Sequence, residues 1–306
     1  MHVRTGRFTR SLVAAFAAGA LVAGCGDDED EAADDAAPTP TAFAVNATAE
    51  GKKKALEFPS SIKAGLVAMT LTNSDTVPRS AQIIRVEGDQ TVDDVLKVVN
   101  AEETKIPEFM QDGGGLGAVK PSASATATQN LAPGKYVIWD DEGGDDEDAP
   151  GNDELGAKGE FTVTGEATDD ELPAVPATVT ATDEGTDSTN SADKKYDFTF
   201  KGLKAGANEV RFENTGEQLH HALFFPIATG KTLKDVETAF GPSPPKGPPP
   251  IDFEKGVGTT VLDGKVAQNI SLELPAGRYA VLCFLSDRKG GKSHAEQGML
   301  KELTVE

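Results

Sequence analysis

Residues 274–305 read LPAGRYAVLCFLSDRKGGKSHAEQGMLKELTV, and residues 131–163 read LAPGKYVIWDDEGGDDEDAPGNDELGAKGEFTV. Laid side by side, the two stretches share a frame. Ala132-Pro-Gly134-Lys-Tyr136 stands against Pro275-Ala-Gly277-Arg-Tyr279, and Gly156 to Val163 stands against Gly298 to Val305. Upstream, Asn73 to Arg79 (NSDTVPR) parallels Asn214 to His220 (NTGEQLH). Each is followed by a Thr-x-x-Asp segment, Thr91 to Asp94 and Thr232 to Asp235. Such a segment ahead of apolar residues at helical spacing is close to a capping box. Four matched blocks in one order mark an internal repeat, so one fold is to be read twice.

Between the blocks the apolar residues alternate with polar ones. Tyr196, Phe198 and Phe200 do so, as do Val210 and Phe212, Ile270, Leu272 and Leu274, and Val67, Met69 and Leu71. Period-2 runs broken by Gly, Pro and Asn predict an all-β fold, an antiparallel β-sandwich with one short helix in each copy. The copies are placed at 42–165 and 194–306, each long enough to bury a core without disulfides. A Thr-, Asp-, Ala- and Pro-rich stretch over 166–193 reads as the linker between them.

The start of the chain bears on its compartment. Arg4, Arg7 and Arg10 precede an apolar run from Ser11 to Gly24 that is free of acids. The run is shorter than the ~20 residues a membrane span needs and reads as the apolar part of a secretory signal. Its end, Leu21-Val22-Ala23-Gly24-Cys25, resembles a bacterial lipobox, which implies lipidation of Cys25 after removal of residues 1–24. An ordinary signal peptide with an incidental cysteine is the other reading. Residues 25–41, acidic and rich in Ala and Pro, then form a disordered tether. The expectation is an extracytoplasmic protein, lipid-anchored to the bacterial cell membrane. The formal net charge of −21 over 306 residues argues against nucleic acid as a partner and suits a basic one.

The chemistry gathers in the second copy. Among four histidines in all, those beyond residue 2 are His220, His221 and His294, and Cys283 is the only cysteine besides Cys25. Met299 is the only methionine after Met110. If Cys25 is lipidated, Cys283 has no disulfide partner within the chain, and metal ligation explains an unpaired thiol in an oxidising compartment. Two imidazoles, one thiolate and a weak thioether are a donor set for a mononuclear copper that exchanges electrons with little rearrangement. His220 and His221 compete for one ligand position, because neighbouring strand side chains point to opposite faces. The spacing from Asn214 favours His220.

Asn214-x-Gly216-x-x-x-His220, then Leu274-Pro-Ala-Gly-Arg-Tyr-x-x-x-Cys283, then His294-x-x-x-x-Met299, resembles the plastocyanin/azurin family of cupredoxins over roughly Tyr196 to Glu306. The resemblance implies a Greek-key sandwich with one type 1 copper. His220 and His294 would be its nitrogen ligands, Cys283 the thiolate and Met299 the long axial ligand. It also implies a hydrogen bond from the backbone N–H of His221 to the thiolate. One departure stands out: ten residues (FLSDRKGGKS) separate Cys283 from His294, where the small blue-copper proteins have two to four. This insert reads as a charged, Gly-rich hairpin that changes access to the metal more than its ligands.

Aligning the copies puts Arg79, Asp140, Asn152 and Ala157 at the four ligand positions, so the first copy is expected to keep the fold and bind no copper. Its corresponding loop carries nine acids between Asp140 and Glu154. It reads as a solvated loop, with a hard-cation site or a dock for a basic partner as sharper alternatives. The Pro-rich Gly241 to Pro250 reads as a stiff spacer or a docking ridge. Trp139, the only tryptophan, is expected in the first core.

Three functions follow as expectations. The first is extracytoplasmic electron transfer through one copper in the C-terminal domain, between redox proteins. The second is cell-surface copper binding, storage or delivery, with copper donors and acceptors as partners. The third is a metal-free adhesion or scaffold lipoprotein. An enzyme is not expected. A second copper centre needs further histidines, of which only His221 is left beyond residue 2, and no triad, zinc motif or phosphate loop is present.

Overall fold

The computed structural model describes residues 39–101, 105–143, 149–186, 188, 193–241 and 245–306. The signal segment, Cys25 and most of the tether lie outside the described residues, as do residues 144–148 of the acidic loop and 242–244 of the Pro-rich stretch. No helix among the described residues is long and apolar enough to cross a membrane.

The first half contributes β1 (Thr41–Glu50), β2 (Lys53–Glu57), β3 (Ser61–Lys63), β4 (Gly65–Asn73) and β5 (Arg79–Val86). After α1 (Val92–Val99) come β6 (Met110–Val119), β7 (Ser124–Leu131), β8 (Gly134–Trp139) and β9 (Lys158–Thr164). The second half contributes β10 (Ala177–Glu184), β11 (Lys195–Lys201), β12 (Gly206–Asn214) and β13 (Leu223–Pro226). It then runs through α2 (Leu233–Ala239), β14 (Val257–Gly258), β15 (Ala267–Leu274), β16 (Gly277–Leu282) and β17 (Leu300–Val305). Both helices start as their sequence predicts. Thr91 and Thr232 accept the N–H of Asp94 and Asp235, whose carboxylates return to the threonine N–H, which satisfies donors a helix start leaves open.

The strands form a five-stranded sheet, β3-β9-β8-β5-β6, a four-stranded sheet, β14-β13-β16-β17, and one eight-stranded sheet, β11-β10-β12-β15-β7-β4-β1-β2. The eight-stranded sheet supplies one layer to each of two sandwiches and passes from one to the other where Gln268 and Asn269 pair with Gln129 and Thr128. The alternating residues point inward as their period requires. Phe43 of β1 meets Phe161 of β9 at 4.7 Å between ring centroids, and Phe200 of β11 meets Phe224 of β13 at 6.2 Å. In each half the tyrosine before the last strands, Tyr136 or Tyr279, donates its hydroxyl to a carbonyl four residues back, at 3.0 and 2.6 Å.

Three expectations need correction. The sheets are mixed rather than purely antiparallel: β1 runs parallel to β4, β10 to β12 and β3 to β9. Each of these pairs joins strands that are not consecutive in the chain, so no hairpin turn forces them antiparallel. The stretch 166–193 is not linker throughout, because β10 lies inside it and pairs with β11 and β12. Trp139 is buried outside the sandwich core. It belongs to a separate cluster with Ile84, Val86, Val95 and Leu96, joined by Leu219 of the second half.

Candidate metal centre

The turn before His220 is closed by Asn214, whose Nδ2 donates to the carbonyls of Gln218 (2.7 Å) and Leu262 (3.0 Å) and whose Oδ1 accepts the Gly216 N–H (3.0 Å). His220 then forms a two-way backbone bridge with Leu262, both bonds 2.9 Å, just ahead of β13. Cys283 is the first residue past β16, and Met299 immediately precedes β17. Short backbone bonds tie the loop between them together. The Ala295 N–H donates to the Cys283 carbonyl (2.8 Å), the Met299 N–H to the His294 carbonyl (2.7 Å) and the Cys283 N–H to the Met299 carbonyl (3.4 Å).

This frame brings His220, Cys283 and His294 together, all buried, with one donor atom of each within 4.8 Å of the others. His220 Nδ1 faces His294 Nδ1 at 3.1 Å, and Cys283 Sγ lies 3.5 Å from His294 Nδ1. Such spacings are of the size expected for ligands on one ion, with metal–nitrogen near ~2 Å and metal–sulfur near ~2.3 Å. Met299 is also fully buried, in the same apolar cluster as Cys283.

Each imidazole is held from behind by a carboxylate. His220 Nε2 lies 2.9 Å from Asp183 Oδ2, and His294 Nε2 lies 3.2 Å from Asp287 Oδ1. A carboxylate only accepts, so each Nε2 carries a proton, and each Nδ1 is the ring nitrogen turned toward the other ligands. The two Nδ1 atoms and the Cys283 sulfur converge on one buried point, as donors to a single ion would. The donor set therefore fits a metal ion, and two imidazoles with one thiolate fit copper in either oxidation state.

The charges around the site keep this arrangement. Burial opposes ionisation of Asp183, but hydrogen bonds from His220 and from the Gln218 and Glu217 N–H groups outweigh it and hold the carboxyl below its usual range. Asp287 is likewise pulled below the usual carboxylate range against its burial, by hydrogen bonds from His294, Lys194 and Tyr196. Tyr196 stacks on the His294 ring at 4.5 Å and donates its hydroxyl to Asp287 at 2.8 Å. Burial pushes the Cys283 thiol up to about 12, offset in part by the backbone N–H groups of His221 and Leu285 directed at it. The His221 N–H thus does what the resemblance implied. The His221 ring points elsewhere: its Nε2 accepts the Phe284 N–H at 2.9 Å, and burial together with His220 and His294 lowers its pKa to about 3. Of the two adjacent histidines, His220 faces the centre.

Asp183 and Asp287 escaped the sequence reading. Asp183 sits in β10, in the stretch taken for linker. Val179-x-Ala181-Thr182-x-Glu184 repeats Val45-x-Ala47-Thr48-x-Glu50 of β1, a fifth matched block that would have revealed both strand and residue. Asp287 lies in the ten-residue insert, which is indeed pinched into a hairpin by a Ser286–Ser293 bridge. Its effect goes beyond access, since it supplies the carboxylate on His294.

The first sandwich builds the same frame around a different cation. The N–H of Asp153 donates to the carbonyl of Asp140 (3.0 Å), that of Ala157 to Asn152 (2.9 Å) and that of Asp140 to Ala157 (3.0 Å), in the pattern around Cys283. Where His220 and Cys283 stand in the second half, the fully buried Arg79 and Asp140 form an ion pair. The Arg79 guanidinium also reaches Asp75 (3.0 Å) and the carbonyls of Thr48 (2.9 Å) and Ala55 (3.1 Å), and Asn152 Nδ2 donates to Asp140 (3.2 Å).

No family model matches the chain, and no curated protein matches it. Among solved structures it is similar to a copper nitrite reductase from Nitrosomonas europaea, with 14% identity, 88% of this chain and 94% of that one covered, and a TM-score of 0.26. It is also similar to auracyanin A, a "blue" copper protein from Chloroflexus aurantiacus (15% identity, 41% and 100% covered, TM-score 0.29). A reduced auracyanin from Roseiflexus castenholzii matches at 21% identity, with 42% and 99% covered and a TM-score of 0.26. At such TM-scores these likenesses carry no weight, and the reading of the centre stands on its donor atoms.

Proposed function

We propose that the C-terminal sandwich binds one copper through His220 Nδ1, His294 Nδ1 and Cys283 Sγ, with the Met299 thioether as a weak fourth donor. The observation that carries the reading is the pair of imidazole Nδ1 atoms 3.1 Å apart beside a buried thiol. Copper bound there would supply a single-electron couple. The chain's own residues do the rest. Asp183 and Asp287 fix both tautomers and aim both rings. The His221 and Leu285 N–H groups steady the sulfur, and complete burial of the ligands excludes water and competing oxygen donors. In this reading the protein is a one-electron carrier between extracytoplasmic redox proteins, tethered through lipid on Cys25, and the first sandwich is a copy that has exchanged its metal for Arg79. No enzymatic turnover is proposed, since only His221 remains to build another centre.

The test is to add Cu(II) to residues 42–306 and to a Cys283→Ala variant. An intense visible band with a reversible potential in the parent, absent in the variant, is expected; a colourless parent would refute a Cu(II)–thiolate and with it the electron-carrier reading. One observation favours copper capture or delivery as a second reading. The His220, Cys283, His294 and Met299 side chains are all fully buried, so no ligand edge is open to a redox partner. A colourless Cu(I) form that passes its metal to an acceptor would support that alternative.

A further inference from the structure

Among the described residues the first sandwich holds no cluster of metal-ligating side chains, yet it grips the loop that carries the second one's candidate ligands. Arg288 follows Asp287 directly. Its guanidinium pairs with Asp263 (2.5 Å) and donates to the carbonyl of Pro107 in the first half (3.2 Å), while its own carbonyl accepts the Ile106 N–H (3.0 Å). Asp263 is in turn bound into the first half, its N–H on the Asp112 carbonyl (2.5 Å) and its carboxylate on the Asp112 N–H (3.2 Å). The Arg288 N–H donates to Gln218 Oε1 (2.7 Å), two residues before His220.

An apolar contact runs beside this polar one. Leu219, which precedes His220, is buried in the cluster of Ile84, Val86, Val137 and Trp139, and Leu285, two residues past Cys283, packs against the same cluster. These are side chains on the outer face of β5 and β8, away from their own sandwich core. A hairpin held only at its ends would be free to swing, since ten residues separate Cys283 from His294. Here its base and its turn are both seated on the other half of the molecule.

We propose that the first sandwich serves as a brace for the metal centre: through Arg288 and Leu285 it holds the insert closed over His294, keeping Asp287 on Nε2 and the copper sealed from exchange. Arg288 is a positioning residue that acts through Asp287. The proposal rests on the copper reading for its effect on metal and stands without it for its effect on the loop.

Two measurements on the whole chain separate the parts. In metal-free protein, Arg288→Ala speeds amide exchange across residues 284–294, whereas Arg278→Ala, which breaks the pair of Arg278 with Glu302 on the exposed face of β16 and β17, does not. In copper-loaded protein, transfer of metal to excess chelator becomes about tenfold faster in Arg288→Ala and in Asp287→Asn, within the range for losing a group that orients a ligand. The double variant releases copper no faster than Asp287→Asn alone, because the two act in series. Unchanged amide exchange in Arg288→Ala overturns the brace. Faster exchange with unaltered copper release shows that the loop does not seal the metal, and effects that multiply in the double variant show that Arg288 does not act through Asp287. If no copper binds at all, the exchange arm still decides the brace, and it is the copper reading that falls.

Discussion

Raising the pH from 8 to 10 should strengthen metal binding by two orders of magnitude, and the reason is a single proton. In the metal-free site the Cys283 thiol is pushed up to about 12 by burial, so it is protonated throughout that interval. A metal takes the thiolate, so binding expels the proton. Ionising a thiol of that pKa at pH 7 costs about 7 kcal/mol, which the metal must offset. Each added pH unit removes about 1.4 kcal/mol of that cost, or tenfold in the binding constant. His294 and His221 are lowered by burial, so both are neutral, and burial with Asp287 raises Tyr196. The sign is fixed: the free protein holds one more proton than the bound one, so affinity climbs with pH. The assay is competition for Cu(II) against a chelator whose own pH dependence is calibrated, at half-unit steps. A plot of log affinity against pH should have unit slope, and Cys283→Ser should flatten it. A flat line in the parent would mean that sulfur is not exchanging a proton for a metal, and a slope of two would mean that a second group is.

Arg79→Met should destabilise the first sandwich by about 3–5 kcal/mol, the usual result of leaving one partner of a buried ion pair alone. Urea unfolding followed by emission of Trp139 measures it, and a loss under about 1 kcal/mol would show that Asp140 finds another partner. His220→Ala should abolish copper binding while His221→Ala preserves it, because His221 reaches the sulfur through its backbone; equal losses in the visible band would contradict the assignment of ligands. Asp183→Ala should weaken copper binding by about 10–100-fold, read by the same competition, and parity with the parent would show that His220 needs no orienting partner. The combined replacement of Arg79 by His, Asp140 by Cys, Asn152 by His and Ala157 by Met should give a second equivalent of bound copper by elemental analysis. A stoichiometry still at one in a folded variant would show that the frame alone does not make a site.

Three of the four candidate ligands were legible because each sits in a block whose local chemistry repeats: an Asn-closed turn before His220, a Tyr-containing strand before Cys283, a Gly before Met299; His294 stands outside those blocks. The two carboxylates were not. Strand β10 hides because its inward residues are Ala177, Val179 and Ala181, all fully buried but so small that the alternation barely rises above the polar residues around it. Asp287 hides because a charge in a Gly-rich loop looks solvated until the hairpin folds it back on His294. The joining of the two sandwiches was also unreadable. It is made where β15 pairs with β7, strands that carry Gln268 and Gln129, whose buried side-chain amides donate to Thr260 and Gly113 within their own halves. Polar residues buried this way leave no periodic signal, since what makes them stable is a partner and not a pattern.

The two sandwiches solve one electrostatic problem in two ways. Each frame delivers an acidic group to a dry pocket, the Asp140 carboxyl in the first and the Cys283 thiol in the second, and the anion of either is not sustainable there without a cation. In the first half the chain brings its own cation: Arg79 reaches two carboxylates and two carbonyls and fills the place a metal would take. In the second half the facing groups are imidazoles whose Nε2 atoms are held by Asp183 and Asp287 and whose Nδ1 atoms turn inward, and in the copper reading the cation comes from outside. The same backbone hydrogen bonds serve both. In the copper reading, what decides whether a half of this protein binds metal is which side chains stand at a few positions of a shared frame, and the carboxylates behind the histidines matter to that outcome as well as the histidines themselves.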